Sequence, residues 1–240
     1  TILSSHLRGD KHKYSEENLT YRLNATKLFN NFSLSLSEFT GLRYPDLYVL
    51  HGSNPSGSFK SMKTTKPETS LTRELSVKYN LSDTISLEST AYKGSVSDVL
   101  NRGTSTNGYN EIIDIEQEGL ENSFILKDDN QRLILSSTLS KSREGNGRPQ
   151  LRRPEKQLGI NYTKKIISNF FGPFDIKYDY RHIGKVEDWK NGSVRSKVDS
   201  SDIMNLSLSK KLSKQIWSLN IYNLTDEVYQ RPDTYNQERR

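Results

Sequence analysis

Apolar and polar residues alternate along most of this chain. A period of two restricts it to strands that carry one apolar and one polar face. Leu19, Tyr21, Leu23 and Ala25 alternate with Thr20, Arg22, Asn24 and Thr26. Phe32, Leu34 and Leu36 alternate with serines, and Leu75, Val77, Tyr79 and Leu81 with Glu74, Ser76, Lys78 and Asn80. The pattern returns at Ile85–Leu87–Ala91, Leu133–Leu135–Leu139, Leu158–Ile160–Tyr162, Phe174–Ile176–Tyr178–Tyr180, Met204–Leu206–Leu208 and Trp217–Leu219–Ile221. About eleven such segments are expected, most about 9–12 residues long, the length a tilted strand needs to cross a bilayer. One segment is irregular. Ile113 and Ile115 share one parity, Leu120, Phe124 and Leu126 the other, and the phase flips near Gly119. A bulge, or a strand that continues above the membrane, accounts for that flip.

The connections alternate in length. Asn30-Asn31, Ser82-Asp83, Lys127 to Asn130 and Ser213-Lys214 are short, and Asn169 to Pro173 slightly longer. Between them lie the long polar stretches 9–18, 43–70, 143–155 and 190–199, with 102–108 a shorter member of the same class. Tight turns at one end and large loops at the other describe an outer-membrane barrel. A soluble sandwich also has one wet face per sheet, but Greek-key connections break the short–long rhythm. The expected fold is all-β: an antiparallel meander transmembrane β-barrel.

Composition removes other classes. Apolar residues make up only 32% of the 240 residues, yet 13 Tyr, 8 Phe and 2 Trp with 7 Pro argue against disorder. There is no cysteine, hence no disulfide framework or thiolate metal site. The net charge is +6, without a run of like charge long enough to read as a nucleic-acid tail. No secretory h-region is visible, and no stretch approaches the ~18 apolar residues of a membrane helix.

Short motifs then fall in a familiar order. They are Gly41-Leu42-Arg43-Tyr44-Pro45-Asp46-Leu47-Tyr48, Lys66-Pro67-Glu68-Thr69-Ser70, Ala91-Tyr92 with Val96-Ser97-Asp98-Val99-Leu100, Gly119-Leu120-Glu121, Leu151-Arg152-Arg153-Pro154 and Asn223-Leu224-Thr225-Asp226-Glu227-Val228-Tyr229. Their order and spacing resemble the C-terminal barrel of TonB-dependent outer-membrane receptors, and among them the cobalamin-transporter group. The resemblance implies a barrel of about 22 strands, of which residues 1–240 are expected to supply the eleventh to the twenty-first. A plug domain, the first half of the barrel and a closing strand ending in an aromatic residue would lie outside it. An open sheet edge in lipid leaves backbone groups unpaired, so a piece of this kind is expected to need the rest.

Candidate ligand-binding residues sit in the expected extracellular loops: Tyr44, Asp46, Tyr48, Phe59, Arg148, Arg152 and Trp189. Arg143, Arg148, Arg152 and Arg153 lie among glycines and prolines, as a solvated loop or as a loop facing anions such as a ligand or lipopolysaccharide phosphates. The aromatics are girdle residues or part of the ligand surface. Asp98, Asp114, Glu116 and Glu118 line the lumen or solvate loops, without a calcium-loop spacing. His6, His12, His51 and His182 are scattered, and no catalytic set, metal site or cofactor is expected. The resemblance implies a receptor that is not an enzyme. It would bind cobalamin, a ferric siderophore or haem, and be driven by the TonB complex through the plug, in contact with outer-membrane lipid and lipopolysaccharide. Two other expectations stay open: a soluble or surface β-rich adhesin or binding module, and a hydrolase on a barrel rim.

Overall fold

The computed structural model describes residues 1–12, 17–45, 66–102, 109–190 and 194–229, without the side chains of 101, 102, 109–111 and 190. Every regular element is a strand: β1 (Ile2–Asp10), β2 (Asn18–Leu28), β3 (Phe32–Arg43), β4 (Glu68–Asn80), β5 (Ile85–Arg102), β6 (Tyr109–Lys127), β7 (Gln131–Glu144), β8 (Lys156–Ser168), β9 (Gly172–Ile183), β10 (Val186–Lys190), β11 (Val194–Val198), β12 (Ser201–Leu212) and β13 (Gln215–Ile221). Eleven of them form one antiparallel sheet in the order β1-β2-β3-β4-β5-β6-β7-β8-β9-β12-β13, and β10 pairs with β11 alone. The eleven-strand meander matches the count of alternating segments.

The short connections, 29–31, 81–84, 128–130, 169–171 and 213–214, are held by local chemistry. At 128–130 the Asp128 carboxylate accepts from the backbone N–H of Asn130 at 2.8 Å and of Gln131 at 2.9 Å. These donors, the Asn130 N–H first, hold its carboxyl below the ordinary aspartate range. Ser213 and Gly172 take positive φ, 51° and 67°, as tight turns demand.

The two faces of the sheet divide as the alternation requires. Among the described residues the buried apolar side chains are Ile115 and Val198 with the prolines Pro45 and Pro67, whereas Leu3, Leu23, Leu36, Leu75, Leu87, Leu120, Leu135 and Leu139 are exposed. The opposite face is polar and internally bonded: Thr26 with Ser35 at 2.8 Å, Ser76 with Thr90 at 2.9 Å, and Lys78 with Glu88 at 2.7 Å. A water-soluble sandwich hides its apolar parity between sheets. This sheet presents that parity outward, as a membrane barrel does. Each such side chain covered by lipid stabilises the inserted state by about 1.5–3 kcal/mol.

The apolar face has a sharp upper limit. Proceeding from the short turns, Leu36, Leu75, Ala91, Leu120, Leu139, Leu158, Tyr180 and Met204 are each followed two positions on, on the same face, by a charged or titratable residue: Glu38, Arg73, Lys93, Glu118, Lys141, Lys156, His182 and Asp202. The register places Glu38, Arg73, Lys93, Glu118 and Lys141 side by side in one cross-strand row. Glu118 therefore faces outward beside Leu120 rather than into the lumen, and Glu116 shares its parity. Within the apolar band one polar row is self-satisfied. Ser89 donates to the Asn122 carbonyl at 2.8 Å, and the Asn122 amide donates to Ser137 at 3.3 Å, which removes most of the cost of an amide facing hydrocarbon.

The phase flip in β6 is the second of the two expected causes. β6 pairs without interruption with β7 from Ile115 to Lys127, and the register shifts lie on the β5 side, between Val96 and Val99 and between Asn101 and Arg102. Asp98 adopts φ 59° at the first of these. β6 simply continues past the apolar band, so Ile115 ends on the polar-parity face and is 5% exposed. Gly119 has its own reason. A Cβ there would lie 2.6 Å from the Tyr92 ring and 2.8 Å from the Leu139 carbonyl oxygen. The tyrosine ring covers the glycine of its register partner. Gly119→Val is expected to displace Tyr92 and to cost about 1–3 kcal/mol, read as a lower urea midpoint for folding of the full-length barrel in vesicles, whereas Gly9→Ala, where a Cβ meets nothing within 4 Å, leaves the sheet intact.

Candidate functional site at the long-loop rim

The long connections gather at one end of the sheet, and there the β7–β8 loop meets the β10–β11 hairpin. Residues 190–199 read as a plain loop. In the structure β9 stops at Ile183, and Val186–Lys190 pairs with Val194–Val198 in register. Trp189 therefore stands on a separate hairpin rather than at the top of β9. Gly184 makes the break possible: its N–H donates to the Lys156 carbonyl at 2.8 Å, and a Cβ would meet that oxygen at 2.8 Å.

Ion pairs fix the hairpin to the loop. Arg152 Nε donates to Asp188 Oδ1 at 2.8 Å, and the Arg152 backbone N–H donates to the Glu187 carbonyl at 2.8 Å. Asp188 is fully buried, at 0% exposure, and its carboxylate also accepts from the Trp189 N–H at 2.8 Å. Arg195 donates to Glu144 at 2.5 Å and to the Pro149 carbonyl at 2.8 Å, and lies 3.5 Å from Glu187. Its guanidinium sits 5.6 Å from the Trp189 ring centroid, within cation–π range. Glu144 is the register partner of Ile115 on the polar-parity face, so its pair with Arg195 sets the hairpin on that face at the rim. Buried charges survive only when paired; Asp188 and Glu144 are each ion-paired, while the Nε of Arg195 is a buried donor left without a partner.

Of the candidate residues, Arg152 and Trp189 come together here. Arg148 lies in the same loop with its side chain exposed, and its backbone N–H donates to the Asn146 side chain at 3.0 Å. Tyr44 lies at the top of β3, on another part of the rim. Its hydroxyl donates to the Asp10 carbonyl at 3.2 Å and its ring stacks on His12 at 4.7 Å, so it ties the β1–β2 connection to β3. Asp46, Tyr48 and Phe59 lie outside the described residues. The sequence reading missed Glu144, Glu187, Asp188 and Arg195. The available signal was Asn191-Gly192 between two short alternating runs, a hairpin signature.

The chemistry on offer is recognition. Arg148 and Arg153 are exposed in the β7–β8 loop, and Arg152 keeps about half of its side chain exposed (47%) while paired with Asp188; guanidinium groups of this kind suit anions. His182 Nδ1 lies 2.9 Å from Asp202, which also accepts from Tyr180 at 2.6 Å. No group of three His, Cys, Asp or Glu that could hold a metal occurs among the described residues.

Comparisons agree with this architecture. The profile of the family described as TonB dependent receptor-like, beta-barrel matches residues 3–224. No curated protein sequence matches the chain. Among solved structures, the siderophore receptor PirA from Acinetobacter baumannii superposes with a TM-score of 0.77 at 20% identity, covering 96% of this chain and 41% of that one. The ferric-catecholate import receptor Fiu from E. coli K12 gives 0.72 at 17% identity, covering 93% and 34%. The copper transporter OprC gives 0.71 at 16% identity, covering 93% and 38%. The chain thus spans 34–41% of the length of these neighbours. With its apolar parity outward and its loops at one rim, this outer-membrane chain belongs to the TonB-dependent receptor-like β-barrel family.

Proposed function

We propose that this chain forms wall and outer rim of a receptor that takes up a scarce nutrient across the outer membrane. The observation that carries the reading is the eleven-strand meander with its apolar parity exposed and its polar parity internally bonded. A water-filled or plug-filled lumen requires that polarity. A self-contained adhesin or binding module would instead bury its apolar parity. Transport would be driven by the TonB complex acting through a plug domain held in the lumen, and the rim formed by the β7–β8 loop and the β10–β11 hairpin would contact the ligand. Cobalamin is suggested by the motif order. The solved structures of like fold are named for ferric catecholate, a siderophore and copper, which favours an iron chelate, with haem as a further candidate. The basic, aromatic rim suits an anionic chelate.

The test is uptake by the full-length protein that carries this chain, in an outer-membrane host stripped of its own receptors. Labelled ferric siderophores, haem and cobalamin are offered with and without TonB. Saturable accumulation of one of them that disappears without TonB is the expected result. Equal accumulation in both hosts, or none of any ligand, contradicts the reading.

A further inference from the structure

We propose that Lys93, Lys141 and Lys156 form a binding site on the outer wall for the phosphates of lipid A, the glycolipid of the outer leaflet. This rests on the outer-membrane reading above. Lys93 on β5 and Lys141 on β7 flank Glu118 of β6 in a single cross-strand row, and Lys156 on β8 pairs with Leu139 just below it. These three lysines border an open depression of about 600 Å³ together with Leu120, Leu139, Glu118 and Glu155, the last of them paired with Arg143. All three lysines are exposed and lie at the upper limit of the apolar face.

Their neighbours on that face are neutralised. Arg73 pairs with Glu38 at 2.6 Å, and Arg143 pairs with Glu155 at 2.8 Å while standing in register with Glu116. Among the described residues Lys93, Lys141 and Lys156 make no ion pair, and of the two carboxylates in the row Glu38 is taken by Arg73, which leaves Glu118. An unpaired cationic cluster directly above Leu120, Leu139 and Leu158 matches an amphiphile with a phosphorylated head and acyl chains beneath. Lys93 and Lys141 stand two strands apart, roughly 10 Å. One phospholipid phosphate does not reach both. A disaccharide carrying two phosphates does.

The experiment uses the full-length receptor in detergent, titrated with purified lipid A and, in parallel, with phosphatidylglycerol. The triple variant Lys93→Gln, Lys141→Gln, Lys156→Gln is expected to bind lipid A on the order of 100-fold more weakly, from about a fivefold loss per lysine. The Lys→Arg triple variant keeps binding. Nutrient uptake by the Gln variant stays at the wild-type rate, because these side chains face away from the lumen. Unchanged lipid A affinity in the Gln variant overturns the site. Phosphatidylglycerol binding as tight as lipid A, and lost in the same variant, overturns the choice of lipid. Failure of the receptor reading shows separately, as loss of TonB-dependent uptake in the wild type.

Discussion

Arg195→Ala is expected to undock the β10–β11 hairpin, because it strands the Glu144 carboxylate. Glu144 is 5% exposed and Arg195 is its ion-pair partner. Removing one member of a buried pair costs about 3–5 kcal/mol, most of it the penalty of leaving the other charge unpaired. The loss also frees the Pro149 carbonyl and the contact with Trp189. Hydrogen exchange on the full-length receptor reads the effect locally: amides of residues 186–198 lose protection while β7, β8 and β9 keep theirs. Arg195→Ala combined with Glu144→Gln recovers much of the protection, since a neutral amide tolerates burial better than a charge. Ligand affinity should fall with the single variant and rise again with the pair. Unchanged exchange in Arg195→Ala would mean that the ion pairs do not hold the hairpin.

Leu135→Arg is the second large effect. Leu135 lies in the apolar band between its register partners Phe124 and Ile160 and is 38% exposed. A cation on the lipid face near the bilayer centre costs about 2–4 kcal/mol. Ser136→Arg, one residue away, points to the polar face and is expected to cost far less. Urea titration of folding into vesicles measures both. The difference between the two neighbours is the informative quantity, since any general effect of added arginine cancels.

Much of the fold was legible because period-two alternation is local. Leu75, Val77 and Tyr79 declare their face without reference to any partner strand, and the short turns declare theirs through Asp, Asn and Ser. The flip at Gly119 was legible as an event but not as a cause. Whether β6 bulges or continues depends on pairing with β5 and β7, which are distant in sequence. Glu118 was misplaced for a related reason: beyond the apolar band an outward position carries charge too, so polarity no longer reports the face. The rim site was half legible. Arg152 and Trp189 stood out by residue type, but their coupling runs through Asp188, whose burial depends on a hairpin folding back over a loop 36 residues earlier. Nothing local to Val186–Lys190 distinguishes that from a solvated strand.

Single cysteines scanned through residues 133–139 are the decisive probes: residues 1–240 hold no native cysteine, and any elsewhere in the full-length receptor is replaced first. Each is spin-labelled in the full-length receptor in vesicles, and collisions with oxygen and with a water-soluble nickel chelate are compared. Labels at 133, 135, 137 and 139 are predicted to favour oxygen, and labels at 134, 136 and 138 the aqueous reagent or neither. Equal access to the aqueous reagent at all seven positions, or the opposite parity, would contradict a barrel wall with its apolar face in lipid.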